Sequence, residues 1–156
     1  MSDADDLAEI SERMALVLTD LSMQRMTARV MSAFFFTEEP ALTSRDLCDR
    51  LNASAGAVSM AIKTLTTLDL LERVPVPGSR RDHYRLRDDP WAMMSSAEPA
   101  AFGSLIKLAD EGLERADADS EVARRLRDMR DFYEFLLQEI PRVIERWHEV
   151  KESRGR

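Results

Sequence analysis

The chain has 156 residues, a formal net charge of −7 at pH 7 and a single cysteine, Cys48. This length is enough for one domain with a real hydrophobic core. A single cysteine excludes an internal disulfide and is typical of a reducing, intracellular compartment. The sequence has neither an apolar run long enough to cross a bilayer nor the pattern of a secretory leader, so we expect a cytoplasmic protein with no membrane partner.

Two helices are predicted before residue 40. The first is indicated by apolar residues that recur at gaps of three and four: Leu7, Ile10, Met14, Val17 and Leu21. The second is predicted from Gln24 to Phe36, ending before Glu38-Glu39-Pro40.

Residues 42–54 predict a short helix followed by a tight turn. Thr43 or Ser44 suits the N-cap of this helix. Asp46 follows Thr43 by three residues, where a carboxylate can accept hydrogen bonds from the unpaired backbone N–H groups of the first turn. Leu47 and Leu51 lie four apart and share one face. Polar residues 52–54 then favour a turn.

A second short helix is predicted from Ser54, its N-cap, to about Leu68. Its buried stripe is predicted to be Val58, Ile62, Leu65 and Leu68. Four residues fall largely off that stripe: Ser59, Met60, Lys63 and Thr67. Gly56 has no Cβ, so the backbone at the start of the helix could approach another surface closely. The glycine could also simply avoid a steric clash within the chain.

A β-hairpin is predicted next. Its first strand runs from Leu70 to Val76, and Pro75 favours an edge position because proline has no N–H to donate. Pro77-Gly78 is a typical turn sequence. Two arginines, Arg80 and Arg81, follow at or beside the tip, and alternation over residues 84–87 predicts the second strand.

This segment resembles the MarR-type winged helix-turn-helix transcriptional regulators and is most similar to their GbsR-like branch. The resemblance rests on the following residues: Leu42-Thr43, Leu47, Leu51, Ser54-Ala55-Gly56-Ala57-Val58-Ser59, Leu65, Leu71-Glu72-Arg73, Gly78-Ser79-Arg80-Arg81 and Tyr84. It implies a mainly α-helical fold with a small β-wing. It also implies a homodimeric, ligand-responsive repressor that binds a pseudo-palindromic operator in double-stranded DNA.

The charge distribution agrees with a DNA-binding segment in an acidic protein. Residues 52–87 contain six basic and three acidic residues, a local net charge of +3, which leaves −10 for the remainder. Binding to DNA depends on the charge of the contacting face rather than on the total. Because +3 is modest, strong attraction to phosphates would need two copies in a dimer.

The C-terminal region predicts a dimerisation apparatus. A helix from about Glu98 to Ala116 carries Phe102, Leu105, Ala109 and Leu113 on one face. After it, a heptad stripe predicts packing against a partner helix: Val122, Leu126, Met129, Tyr133, Leu136, Ile140, Val143 and Trp147. Pro141 is expected to bend or locally loosen this last helix. This stripe could also pack in part within one chain. We expect N-terminal helices over residues 1–36, a winged helix-turn-helix over 37–88 and dimerisation helices over 89–156.

The residues predicted to contact DNA lie on the two short helices and the wing: Thr43, Ser44, Ser54, Gly56, Ser59, Met60, Lys63, Ser79, Arg80, Arg81 and His83. Residues at the start of the second helix suit a major groove, whereas arginines at a hairpin tip suit a minor groove or its phosphates. Each of these residues could instead be an ordinary solvated surface residue.

MarR-type proteins often release DNA when a small, frequently lipophilic molecule binds between the dimer helices and the winged domain, and GbsR-like relatives sense small polar osmolyte precursors. The resemblance therefore implies a small-molecule effector. Its candidate contacts are Phe34, Phe35, Trp91, Met93, Met94 and Phe102. The same apolar side chains could equally be plain core.

Catalysis is not indicated. His83 and His148 have no metal-ligand spacing with each other or with Cys48, and the glycines form no phosphate-binding loop. We expect no cofactor and no metal. Two other functions fit parts of the pattern. One is a winged-helix module that binds an acidic protein through Arg80 and Arg81, and the other is a lipophile-binding protein with weak, sequence-blind DNA binding.

Overall fold

The computed structural model describes residues 3–95 and 99–155, without the side chains of residues 3–5, 93 and 95. Its helices and strands follow in this order: α1 (Asp3–Asp20), α2 (Arg25–Phe35), β1 (Leu42–Thr43), α3 (Ser44–Leu51), α4 (Ala55–Thr67), β2 (Leu71–Val74), β3 (His83–Leu86), α5 (Pro90–Ser95), α6 (Pro99–Leu113) and α7 (Glu121–Ser153). The mainly α-helical fold with a small β-wing is confirmed.

The wing contains a strand that the sequence pattern did not predict. The antiparallel sheet has the order β1-β3-β2, with Leu42 opposite Tyr84 and Leu71 opposite Leu86. β1 has two residues, too few to show alternation, and it forms only because β3 returns beside it. β2 is an edge strand that ends one residue before Pro75, in agreement with the predicted edge position.

The chain divides into two compact units, residues 1–93 and 94–156. In the first unit α2 lies at the centre and packs against α1 and α4. Its core is formed by apolar residues from several elements: Val30, Met31, Leu42, Leu47, Val58, Leu65 and Leu71. The fully buried Ser32 donates its hydroxyl to the Ser11 carbonyl at 2.6 Å, which attaches α1 to α2. The predicted boundary at residue 36 separates the N-terminal helices from the DNA-binding segment by function, and it stays a prediction.

One predicted core residue is wrong. Val58, Ile62 and Leu65 are buried on α4, but Leu68 is 43% exposed. The helix ends at Thr67, and the chain then passes through Asp69 in the left-handed region, with φ of 57°. Leu68 therefore leaves the helical periodicity, and Ala61 lies on the buried face with the other three.

The second unit is a helical pair in which α6 packs against α7. Ala109 and Ala123 are buried, and Phe102 contacts Tyr133 with ring centroids 4.9 Å apart. Gly112 lets the helices approach: a Cβ there would lie 2.6 Å from Cδ1 of Leu126. α7 is continuous through Pro141, so this proline does not end the helix.

Candidate nucleic-acid interface

The first helix of the helix-turn-helix, α3, begins with a reciprocal N-cap. Asp46 N–H donates to Thr43 Oγ1 at 3.1 Å, and Asp46 Oδ2 accepts from the Thr43 N–H at 2.8 Å and from its hydroxyl at 2.7 Å. The Thr43 backbone N–H, followed by the Thr43 hydroxyl, holds the pKa of Asp46 below its usual value. Thr43 is buried and its hydroxyl forms this cap, which gives Thr43 a structural role, while its predicted contact with DNA stays a prediction.

The turn into α4 uses the residues that the sequence pattern indicated. Asn52 ends α3 in the left-handed region, with φ of 47°, and Ser54 Oγ accepts from the Ala57 N–H at 3.2 Å. Ser54 is exposed, and its hydroxyl oxygen caps α4. Gly56 is also exposed, and a Cβ there would meet nothing within 4 Å. Packing within the chain therefore does not explain this glycine.

The outer face of α4 borders a groove. Ser59, Met60 and Lys63 are exposed, with Met60 at 68%. A groove of about 380 Å³ lies between this face, the start of α3 and the wing, and its walls comprise Ser44, Ser59, Ile62, Lys63, Thr66, Thr67, Arg73 and Tyr84. Thr66, Arg73 and Tyr84 were absent from the predicted site. The alternation of β2 and β3 could have indicated the two strand residues, but only the packing of the strands beside α4 places them on this groove.

The wing tip is a tight turn. The Ser79 N–H donates to the Val76 carbonyl at 3.1 Å, and Gly78 supplies a φ of 81°. Ser79 Oγ then accepts from the Arg81 N–H at 3.2 Å. Arg80 and Arg81 are exposed, and His83 is half-buried with its Nδ1 3.0 Å from the Arg81 carbonyl oxygen. The turn therefore presents both guanidinium groups at the end of the hairpin.

Ion pairs divide the cations of residues 52–87 into two groups. The three acids of the segment each face an arginine: Arg85–Glu72 at 2.6 Å, Arg73–Asp82 at 3.4 Å and Arg87–Asp69 at 3.8 Å. Within the part of the chain that the structure describes, Lys63, Arg80 and Arg81 form no ion pair. These three side chains therefore carry the local excess of +3, and they are among the residues that the sequence predicted to contact DNA.

The predicted effector contacts are distributed over the two units of the chain. Phe34 is a core residue of α2, whereas Phe35 stacks on Trp91 with ring centroids 4.7 Å apart. Phe102 and the half-buried Met94 belong to the second unit, and the side chain of Met93 lies outside the described residues. For Phe34, the interpretation as plain core is the one that its burial supports.

Metal-binding clusters and membrane-spanning helices are both absent from the described residues. These residues gather no group of three or more His, Cys, Asp or Glu side chains arranged to hold a metal ion. Over the same ranges, no helix combines the length and the apolar character that crossing a bilayer requires.

A capped helix-turn-helix, an adjacent hairpin with an arginine tip and an exposed recognition face define the class of winged helix-turn-helix proteins, which place one helix in a DNA groove. Family models match both halves of the chain: a MarR family model at residues 23–82 and an MmpR5-like MarR family transcriptional regulator model at residues 89–151.

Individual relatives agree with these models. The chain is 31% identical over 137 residues to the HTH-type transcriptional regulator MmpR5 of Mycobacterium tuberculosis, covering 87% of this chain and 83% of that protein. A crystal structure described as a transcriptional regulator aligns with a TM-score of 0.78 and 28% identity, over 92% of this chain and 99% of the other. This protein therefore belongs to the MarR family of transcriptional regulators. The matches do not bear on the GbsR-like branch, which stays a prediction.

Proposed function

We propose that this regulator is a homodimeric, ligand-responsive repressor that reads a pseudo-palindromic operator with two copies of α4. The observation that carries the proposal is the set of cations without acidic partners in the described chain: Lys63 on α4 and Arg80 and Arg81 on the wing. Phosphate attraction comes from cations that are not already neutralised, so these three side chains mark the face toward DNA.

The shape of this surface supports the same assignment. α4 has 13 residues and a length of about 20 Å, and a B-DNA major groove about 12 Å wide admits such a helix. Ser59 and Lys63 lie on its outer face, and Ser54 and Gly56 lie at its start. In the proposed complex Lys63 and Ser59 enter the major groove, and Arg80 and Arg81 reach the neighbouring minor groove or its phosphates.

Exposed apolar faces support the homodimer. The regular apolar stripe of α1 is largely uncovered, with Leu7, Ile10 and Val17 exposed, because Ala15 and Leu18 make up the face that packs inward. Leu21, directly after the helix, is exposed as well. On α7, Val122, Val143 and Trp147 of the predicted heptad are exposed as well. Exposed apolar side chains that recur along one helix are typical of protein–protein contact. A second copy is the partner that a palindromic operator requires.

The proposal includes a small-molecule effector for two reasons: regulators of this family often bind one, and the chain has one partly exposed aromatic pair. Trp91 stacks on Phe35 while 45% of its surface stays exposed, and an exposed indole is a suitable contact for a lipophilic or cationic ligand. A GbsR-like protein would take a small polar osmolyte precursor, and other MarR-type regulators take lipophilic aromatics. Tryptophan fluorescence of Trp91 would report either class, with Trp91→Phe removing its part of the signal.

The test is fluorescence anisotropy of the purified protein with DNA from upstream of its own gene, against shuffled DNA at physiological salt. A preference of about a thousandfold with a steep salt dependence is expected for a specific regulator. Equal weak binding to both DNAs, together with a genome-wide fragment selection that recovers no preferred site, would overturn the proposal. It would favour a protein-binding module or a lipophile-binding protein instead.

A further inference from the structure

We propose that Arg29 is a positioning residue for DNA recognition: it ties α1 to the end of α3, and thereby sets the position of the recognition helix α4. This inference rests on the proposed function, because it concerns how a homodimer presents two copies of α4 to one operator. Arg29 is on α2, outside the two short helices and the wing that carry the predicted DNA contacts, and it was not among the residues predicted from the sequence.

The guanidinium of Arg29 has two partners on two different elements. Its Nη2 donates to Glu12 Oε1 of α1 at 2.8 Å and its Nε donates to Glu12 Oε2 at 3.0 Å, in a bidentate arrangement. The same Nη2 donates to the Leu51 carbonyl of α3 at 2.9 Å. The side chain is only 22% exposed, and the Arg29 hydrogen bond holds the pKa of Glu12 below its usual value. Bidentate charge-assisted hydrogen bonds of this type fix orientation as well as distance.

The Leu51 carbonyl is a sensitive point of the helix-turn-helix. It belongs to the last turn of α3, whose carbonyls have no partner further along the helix. A donor that is also a cation is favourable there, because it meets the negative end of the helix dipole. Only Asn52, Ala53 and Ser54 separate Leu51 from the first residue of α4. Because this connection is so short, a shift of the Leu51 carbonyl also shifts the start of the recognition helix.

The other end of the link lies on the helix that we assign to the dimer. Glu12 is on α1, whose exposed apolar residues form part of the proposed contact with the second copy. An open groove of about 480 Å³ runs past this point, and its walls include Leu7 and Glu12 of α1 and Leu51 of α3. α1 and the end of α3 both line this groove, and the Arg29 side chain joins them through Glu12 and Leu51.

The discriminating variants are Arg29→Lys and Arg25→Lys. Lysine at position 29 keeps the positive charge. Its ammonium group cannot bind the Glu12 carboxylate in a bidentate manner and also donate to the Leu51 carbonyl. Arg25 is the matched control, since it contacts the same Glu12 carboxylate through a single bond of 3.2 Å and does not join it to the end of α3. Glu12→Gln is a second variant, which keeps Arg29 beside Leu51 and removes only the charge of the link to α1.

The readout is operator affinity across a series of DNAs whose half-sites are moved apart or together by one base pair, about 3.4 Å each. Urea unfolding and affinity for a single half-site are measured on the same samples. We expect Arg29→Lys to weaken affinity about tenfold at the best spacing and to flatten the dependence on spacing, because one or two charge-assisted bonds are removed. Half-site affinity should stay within about threefold, and Arg25→Lys should match the unchanged protein.

A purely structural role would give a different pattern: full-operator and half-site affinities would fall together with the free energy of unfolding, and the preferred spacing would not change. That result would overturn the inference. If Arg29→Lys does not fold, the same comparison is made with Glu12→Gln, and an unchanged spacing profile there also overturns it. Failure of the proposed function is distinguishable, because the unchanged protein would then prefer no operator at any spacing.

Discussion

At the scale of single residues, the ion pairs of the wing set how the protein responds to salt. Arg73, Arg85 and Arg87 each face an acid in the same segment, so their charges are largely compensated before DNA arrives. These pairs are exposed and individually weak, so they order the hairpin more than they stabilise the fold. Lys63, Arg80 and Arg81 are the cations left to release counterions from DNA.

We predict that Arg80→Ala with Arg81→Ala lowers operator affinity about tenfold or more. The salt slope should flatten by roughly one unit for each phosphate that is no longer neutralised. Anisotropy titrations at several salt concentrations measure both quantities, and the free energy of unfolding should not change because both side chains are exposed. The control is Arg125→Ala with Arg146→Ala, which removes two charges from α7. An equal loss of affinity in the control would show that total charge, and not the wing, drives binding.

Gly56 allows a stability effect to be separated from a DNA effect. Because a Cβ there meets nothing within 4 Å, Gly56→Ala should stabilise the helix by roughly 0.5 kcal/mol. If the start of α4 approaches DNA closely, the same substitution should lower operator affinity. Gly103→Ala on α6, where an added Cβ also meets nothing within 4 Å, should raise stability without changing affinity. Unchanged affinity in Gly56→Ala would remove Gly56 from the proposed interface.

At the scale of elements, short helices are held by their caps. α3 has eight residues, too few to be stable alone, and it depends on the cap formed by Thr43 and Asp46 and on burial of Leu47 and Leu51. α4 and α7 begin with simpler serine caps, in which the side chains of Ser54 and Ser120 accept from the Ala57 and Ala123 N–H groups. These local signals are readable from sequence because each needs only residues three apart.

The cap of α3 should make part of the stability depend on pH. The lowered pKa of Asp46 means that its carboxylate is more stable in the folded state. This stabilisation is therefore present at neutral pH, and it is lost as the pH falls through the usual aspartate value toward the lowered pKa. Thr43→Ala should cost about 1 kcal/mol at pH 7 and less at pH 3. Urea unfolding at both pH values measures this.

The control for that experiment is Ser120→Ala. Ser120 caps α7 by accepting from the Ala123 N–H at 3.1 Å, with no carboxylate in the reciprocal position, so its cost should be similar at both pH values. A cost of Thr43→Ala that is also independent of pH would contradict the role assigned to Asp46.

At the scale of the whole molecule, exposed apolar residues on α1 and α7 require an explanation that one chain does not supply. We predict that Val143→Asp, at a position 62% exposed in the single chain, disrupts the homodimer and abolishes binding to the palindromic operator. Sedimentation measures the oligomeric state and circular dichroism confirms the helices. Gln138→Asp adds the same charge to an exposed position of α7 outside the heptad stripe, and it should remain dimeric. A Val143→Asp variant that is still dimeric would place the interface elsewhere.

The sequence by itself determined what depends on near neighbours: the caps at Thr43 and Ser54, the turn at Gly78, and the outward faces of Ser59 and Lys63. Spacing along one helix or one turn is sufficient to specify each of these. It also indicated the family, through residues that lie in one continuous segment.

Only the tertiary structure decided what depends on residues far apart in the chain. The pairing of β1 with β3, the groove that Arg73 and Tyr84 share with α4, and the Arg29 link between Glu12 and Leu51 are of this kind. It also placed Thr43 in a buried cap, and it moved Leu68 from the predicted core to the surface. The physical reason is common to all of them: a side chain's partners are set by how whole elements pack, and periodicity within one element carries no information about its neighbour.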